Sequence, residues 1–138
     1  MLFKNGYRIT QVFGNNPDYY KQFGFAGHEG LDLVPSTPGD TTIYCIEDGE
    51  VLRDIDDPKS GAYGIHVVVW NKQNQRAWWY CHLSSNETSI GQQMKAGQKI
   101  GVMGDTGNTN GAHLHLNLRP TDANKNILDP NNGYKGFV

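Results

Sequence analysis

Between Ala112 and Arg119 the chain alternates without a break, as Ala112-His113-Leu114-His115-Leu116-Asn117-Leu118-Arg119. Successive side chains of a strand point to opposite faces, so Leu114, Leu116 and Leu118 share one face and His113, His115, Asn117 and Arg119 the other. The leucine face predicts core, and the opposite face presents two imidazoles side by side. Other stretches read as short strands between turns. Residues 64–70 and 76–83 flank Asn71-Lys72-Gln73-Asn74-Gln75 as a hairpin, and 42–46 and 50–55 flank Asp48-Gly49, a strong two-residue hairpin signal. Residues 98–103 lead through a glycine-rich loop, 104–111, into the alternating run. Alternation through 77–83 puts Trp78, Tyr80 and His82 on one face and Trp79, Cys81 and Leu83 on the other. Helical signals are confined to Asn16-Pro17-Asp18-Tyr19-Tyr20-Lys21-Gln22-Phe23, with Asn16 as N-cap and Pro17 at the first helical position. The pattern predicts an all-β fold: antiparallel sheets in a sandwich or partly open barrel, with glycine-rich loops and at most one short helix.

Length and charge narrow the function classes. A chain of 138 residues fits one domain with a real core, so residues 1–138 are read as a single unit and a monomer is expected. A formal net charge of -2 with scattered lysines and arginines gives no basic stripe for nucleic acid. No apolar run is long enough to cross a bilayer, and Met1-Leu2-Phe3-Lys4-Asn5-Gly6 is no signal peptide. A targeting segment has been cut off, or the protein leaves the cell by another route. Cys45 and Cys81 lack both redox spacing and disulfide density, and their apolar settings predict buried free thiols.

Four of the five histidines lie in short motifs. His28-Glu29-Gly30-Leu31-Asp32 keeps an imidazole and a carboxylate on one face of an extended segment. Tyr80-Cys81-His82-Leu83 ends an aromatic strand, and His66, on Ile65-His66-Val67-Val68-Val69-Trp70, has no motif partner and reads as structural or surface. Taken alone, the 113/115 pair also admits a purely structural role. A catalytic zinc site takes three ligands from His, Asp and Glu and leaves a fourth position for water. His28, Asp32 and one histidine of the 113/115 pair supply that set. His82 and the remaining histidine would manage the water proton and the developing oxyanion.

These residues resemble the signature of the lysostaphin/LytM-type zinc metallopeptidases, which cut peptides of bacterial peptidoglycan. The likeness runs in the family's order from about Phe13 to Arg119. It takes in Phe25-Ala26-Gly27-His28-Glu29-Gly30-Leu31-Asp32-Leu33, Ile43-Tyr44-Cys45-Ile46-Glu47-Asp48-Gly49-Glu50-Val51 and Tyr63-Gly64 followed by Val67-Val68-Val69. It continues through Tyr80-Cys81-His82-Leu83-Ser84, Lys95-Ala96-Gly97-Gln98-Lys99-Ile100-Gly101 and Gly104-Asp105-Thr106-Gly107, which leads into His113-Leu114-His115. The resemblance implies a duplicated hybrid β architecture and one zinc per chain held by His28, Asp32 and His115, with His82 and His113 as catalytic histidines. It also implies a transition-state tyrosine near the first ligand, for which Tyr19 and Tyr20 are the candidates. Ala112 stands where proline is usual, and Asn117 where glutamate is common. Asn117 shares the site face and is expected to orient a ligand by a hydrogen bond.

The implied substrate is the bacterial cell wall, with no membrane insertion. Tyr19-Tyr20 ahead of Gly27-His28-Glu29-Gly30 is similar to phage and prophage lysins. The glycine-rich loop lacks the lysine and Ser/Thr of a phosphate cradle and is expected to wall a substrate groove, which Trp70, Trp78 and Trp79 could also line. Two other readings compete: a relative that has lost its ligands and only binds, and a sugar-phosphotransferase carrier with a phosphohistidine. The first predicts substitutions among the five site positions, and none is seen. The second conflicts with Asp32, whose charge would repel the phosphate.

Overall fold

The computed structural model describes residues 2–12, 15–23 and 28–128. Within them the strands are β1 (Tyr7–Gln11), β2 (Leu31–Pro35), β3 (Thr42–Tyr44), β4 (Gly49–Ile55), β5 (Ile65–Asn71), β6 (Arg76–Asn86), β7 (Gln93–Met94), β8 (Lys99–Met103) and β9 (Leu114–Pro120). They form an antiparallel sheet in the order β1-β2-β9-β6-β5-β4-β7, from which β8 branches off β6 and carries β3. The sheet stays open and does not close into a barrel. Among the described residues the one α-helix, α1 (Pro17–Tyr20), runs into a 3-10 turn at Lys21–Phe23. Asn16 precedes it with a left-handed backbone and no side-chain cap, so the expected N-cap bond is not made. Phe25-Ala26-Gly27 of the first motif lie outside the described residues.

The leucine face of β9 is core. Leu114, Leu116 and Leu118 pack with Leu33, Val67, Val69, Trp78 and Tyr80, while Ile43 of β3 and Ile100 of β8 join the same cluster. Burying these side chains stabilises the fold by roughly 1.5–3 kcal/mol each, and it fixes the register of β9, since a one-residue slip would turn every leucine out of the core. The opposite face is not solvent-exposed: His115, Asn117 and Arg119 are buried as well.

The 65–71/76–86 hairpin forms as predicted, with Asn71 opposite Arg76. The Asp48-Gly49 hairpin does not form. β3 pairs with β8, and β4 pairs with β5 and β7. Gly49 serves another purpose: a Cβ there would lie 2.4 Å from the Trp70 carbonyl oxygen, so its lack of side chain lets β4 approach β5. Asp48 meanwhile accepts a hydrogen bond from the Ala96 amide at 2.7 Å instead of shaping a turn.

A second departure decides the site. Trp78 and Tyr80 stand opposite Leu118 and Leu116 and enter the core, as the alternation predicts. His82 does not follow them. Its backbone has φ 63°, in the left-handed region, and the register with β5 slips between Ile65 and Val67. A bulge adds one residue to a strand and reverses the alternation beyond it. His82 therefore joins the face of Cys81 and His115, and Leu83 enters the core. The same bulge hands β6 from β9, paired through Cys81, to β8, paired from Leu83 onward.

Candidate active site

The antiparallel register of β2 and β9 puts Asp32 directly opposite His115, so the two side chains meet without any loop to place them. His28 comes from the segment just before β2. Its approach depends on Gly30, where a Cβ would lie 2.4 Å from the Leu116 carbonyl oxygen and 3.1 Å from the His115 ring. Asp32 Oδ1 lies 2.9 Å from His115 Nδ1 and 3.1 Å from His28 Nε2. The two ring nitrogens are themselves 3.1 Å apart.

The far sides of these rings fix what the near sides offer. His28 Nδ1 faces the Val12 carbonyl oxygen at 3.2 Å and donates to it, which leaves Nε2 as a lone pair. His115 Nε2 points away, toward the Glu29 carboxylate at 3.2 Å. Two imidazole nitrogens and a carboxylate oxygen thus converge within 4.8 Å of one another. Such a buried set of electron-pair donors requires a positive charge among them. In the protein alone His115 answers that need: burial opposes its charge, but Asp32 and Glu29 outweigh burial and raise its pKa to about 9. Asp32, although half buried, is held far below the usual carboxylate range by the hydrogen bonds it accepts from His113 and His115. A divalent metal suits the same donors.

His82 and His113 flank this set, with ring centroids 4.9 Å apart. His82 Nδ1 donates to the Thr106 carbonyl at 2.7 Å, and His113 Nδ1 to the Gly111 carbonyl at 2.9 Å. Both rings are thereby locked with Nε2 toward the cleft. His113 precedes β9, and its backbone forms a bridge to Gly104. Burial, reinforced by His115, lowers the His82 pKa to about 4. For His113, burial acts in the same sense, but hydrogen bonds with Asp32 and the Gly111 carbonyl prevail and raise it. The two rings are thus biased in opposite senses, His82 toward its neutral form and His113 toward its protonated form.

These residues open onto a cleft of about 620 Å³. Asn108, Thr109 and Asn110 of the glycine-rich loop form one wall, as expected, and Tyr19 and Tyr20 lie on another. The tryptophans do not line it. Trp78 is core, Trp70 is buried and donates to Thr121 at 2.8 Å, and Trp79 lies beneath Arg53 and Arg119. Tyr20 and Tyr19 separate clearly. The Tyr20 ring is 5.3 Å from the His28 ring and its hydroxyl reaches Gln11 at 3.4 Å, whereas Tyr19 is 53% exposed. Burial, with Asp32 and Glu29 adding to it, pushes the Tyr20 pKa up to about 12, so its hydroxyl keeps its proton.

Asn117 is on the expected face and fully buried, yet its amide makes no hydrogen bond among the described residues. Glu29 stands against His115 instead. Three residues absent from the sequence reading of the site, Glu29, Tyr63 and Arg119, form a connected group beside it, with Glu29 and Arg119 buried and Tyr63 half-buried on the cleft wall. Glu29 sits beside His28, and its charge in a segment otherwise bound for the interior was the one signal available. Alternation already puts Arg119 on the histidine face, whereas Tyr63 reaches the site through tertiary packing alone. His66 fits its structural reading, buried with Nδ1 2.8 Å from the Gly64 carbonyl. Cys45 and Cys81 are free and buried, and burial raises both thiols, so neither offers a reactive thiolate. Among the described residues, no helix is long and apolar enough to cross a membrane.

Known proteins share both sequence and fold with this chain. It is 36% identical over 104 residues to the peptidoglycan DD-endopeptidase ShyA of Vibrio cholerae, covering 72% of this chain and 23% of that protein. The chain thus spans about a quarter of the length of that relative. The crystallized catalytic domain of the antimicrobial peptidase lysostaphin from Staphylococcus simulans superposes with a TM-score of 0.68 at 25% identity, over 84% of this chain and 82% of that one. A zinc-containing peptidase from Vibrio cholerae superposes with a TM-score of 0.66 at 30% identity, over 89% of this chain and 39% of the other. Residues 26–130, which contain His28, Asp32, His82, His113 and His115, match peptidase family M23. The chain belongs to peptidase family M23.

Proposed function

We propose that this chain is a zinc-dependent endopeptidase that hydrolyses peptide bonds of bacterial peptidoglycan, working as one catalytic domain with one zinc. The observation that carries the proposal is the convergence of three donors beside two histidines whose Nε2 atoms are both aimed into one cleft. The proposal accords with the names of the relatives, which include a peptidoglycan DD-endopeptidase and an antimicrobial peptidase.

His28 Nε2, Asp32 Oδ1 and His115 Nδ1 would hold the metal, two neutral nitrogens and one carboxylate leaving it a net positive charge. Zinc bound there supplies a Lewis acid and lowers the pKa of a coordinated water from about 15.7 to roughly 7. His82, kept neutral by burial, takes the proton of the attacking water on Nε2. His113, biased toward its protonated form by Asp32, gives a hydrogen bond from Nε2 to the developing oxyanion and then transfers that proton to the departing amine. Tyr20, rather than Tyr19, adds a hydrogen bond to the oxyanion. Tyr20→Phe is expected to lower turnover by about tenfold to a hundredfold, with Tyr19→Phe near wild type in the same peptide-release assay.

The direct test uses purified peptidoglycan. The zinc-loaded chain is expected to lower the turbidity of a cell-wall suspension, to stop after dialysis against a chelator and to resume on zinc addition. Equal clearing by the chelated chain would overturn the proposal.

A further inference from the structure

The nitrogen of His115 that faces away from the donor cluster lies against a buried assembly that the reaction does not use. Glu29 is 5% exposed, and its Oε1 is 3.2 Å from His115 Nε2, an ion-pair contact that does not meet hydrogen-bond geometry. The same Oε1 accepts a hydrogen bond from the Tyr63 hydroxyl at 3.1 Å. That hydroxyl in turn accepts from Arg119 Nη2 at 3.2 Å. The Tyr63 ring lies nearly parallel to the His115 imidazole, 17° between planes and 5.7 Å between centroids. One tyrosine therefore packs flat against the histidine and also holds the carboxylate at the histidine's edge.

A buried carboxylate without a cationic or hydrogen-bonding role would be costly. Asn117, the strand neighbour on the same face, carries no charge and reaches no described partner. Arg119, two residues beyond Asn117 on that face, closes the group from the far end of the chain of contacts. The contact order is thus Arg119 to Tyr63 to Glu29 to His115, running from the sheet interior to the cleft.

We propose that Glu29, held by Tyr63 and Arg119, is the positioning residue for His115: it keeps the Nε2 proton in place so that Nδ1 presents its lone pair to the metal. Carboxylate partners of this kind fix the tautomer and ring orientation of a ligating histidine and raise its basicity. The inference rests on the reading of His28, Asp32 and His115 as zinc ligands, and it assigns to this chain a carboxylate–histidine–metal relay whose acid comes from the residue after the first ligand.

Zinc affinity, measured by competition with a chromophoric chelator, tests it, with the absorption spectrum of the cobalt-loaded protein as a second readout. Glu29→Gln is expected to weaken zinc binding by about ten- to a hundredfold and to shift the cobalt bands. Tyr63→Phe keeps the stacked ring and removes only the hydroxyl, and it is expected to weaken binding by about two- to tenfold. A merely structural role would lower the melting temperature of the metal-free variants and leave zinc affinity and cobalt spectrum unchanged. Wild-type affinity in both variants, with zinc still bound by the unaltered chain, would overturn the inference and leave the ligand reading standing. If Glu29→Gln does not fold, Tyr63→Phe decides: weaker binding supports the inference and unchanged binding overturns it. An unaltered chain that binds no zinc overturns the ligand reading and the inference with it.

Discussion

Asp32→Ala and His115→Ala are expected to lose bound zinc and peptide hydrolysis together. Structural zinc sites in zinc-finger peptides bind with roughly 10–16 kcal/mol at neutral pH, and on that scale one of four positions carries about 2.5–4 kcal/mol, a factor of about 10² to 10³ in affinity. Asp32 has a further reason to matter. It alone contacts His28, His113 and His115, at 3.1, 3.4 and 2.9 Å. Removing it deletes the one negative charge among the donors and the partner that orients His113. The fold should survive both changes, because the core lies on the other face of β9, where Leu114, Leu116 and Leu118 pack. Metal analysis of the purified variants, beside their circular dichroism, checks this: folded protein with bound zinc near zero is the expected result.

His82→Ala and His113→Ala should separate metal from chemistry. Neither nitrogen belongs to the converging donor set, so both variants are expected to retain zinc while hydrolysis falls by about a hundredfold to a thousandfold. His82 needs one extra control. Its φ of 63° costs an ordinary residue about 1–2 kcal/mol, whereas asparagine tolerates that region more readily. His82→Asn should therefore hold the bulge and still lose the proton acceptor. Metal content and the rate of peptide release are the two measurements, and full activity in either His82 variant would remove that residue from the mechanism.

The parts of the site that lie on regular strand were legible in the sequence. Alternation alone divided β9 into a leucine face and a histidine face, and β2–β9 pairing then set Asp32 against His115. His82 was recognised as a candidate through its motif but assigned to the wrong face, because a bulge adds a residue that strict alternation cannot register. The strained backbone that turns His82 toward the cleft shows only in the folded chain. The Asp48-Gly49 pair misled for a related reason. Glycine fits both a tight turn and a close strand approach, and only the neighbouring Trp70 carbonyl distinguishes them. Glu29, Tyr63 and Arg119 were missed as a group because their meeting depends on three separate segments, although alternation alone puts Arg119 on the histidine face. The choice of Tyr20 over Tyr19 likewise required the helix to be placed against His28.

Mass spectrometry of the fragments released from purified peptidoglycan by the zinc-loaded chain tests the central claim most directly. The account predicts soluble fragments with intact glycan linkages and new amino and carboxyl ends at a peptide bond, absent when His115→Ala replaces the unaltered chain. Cleavage within the glycan strand, or the same peptide fragments from the His115→Ala variant, would contradict it.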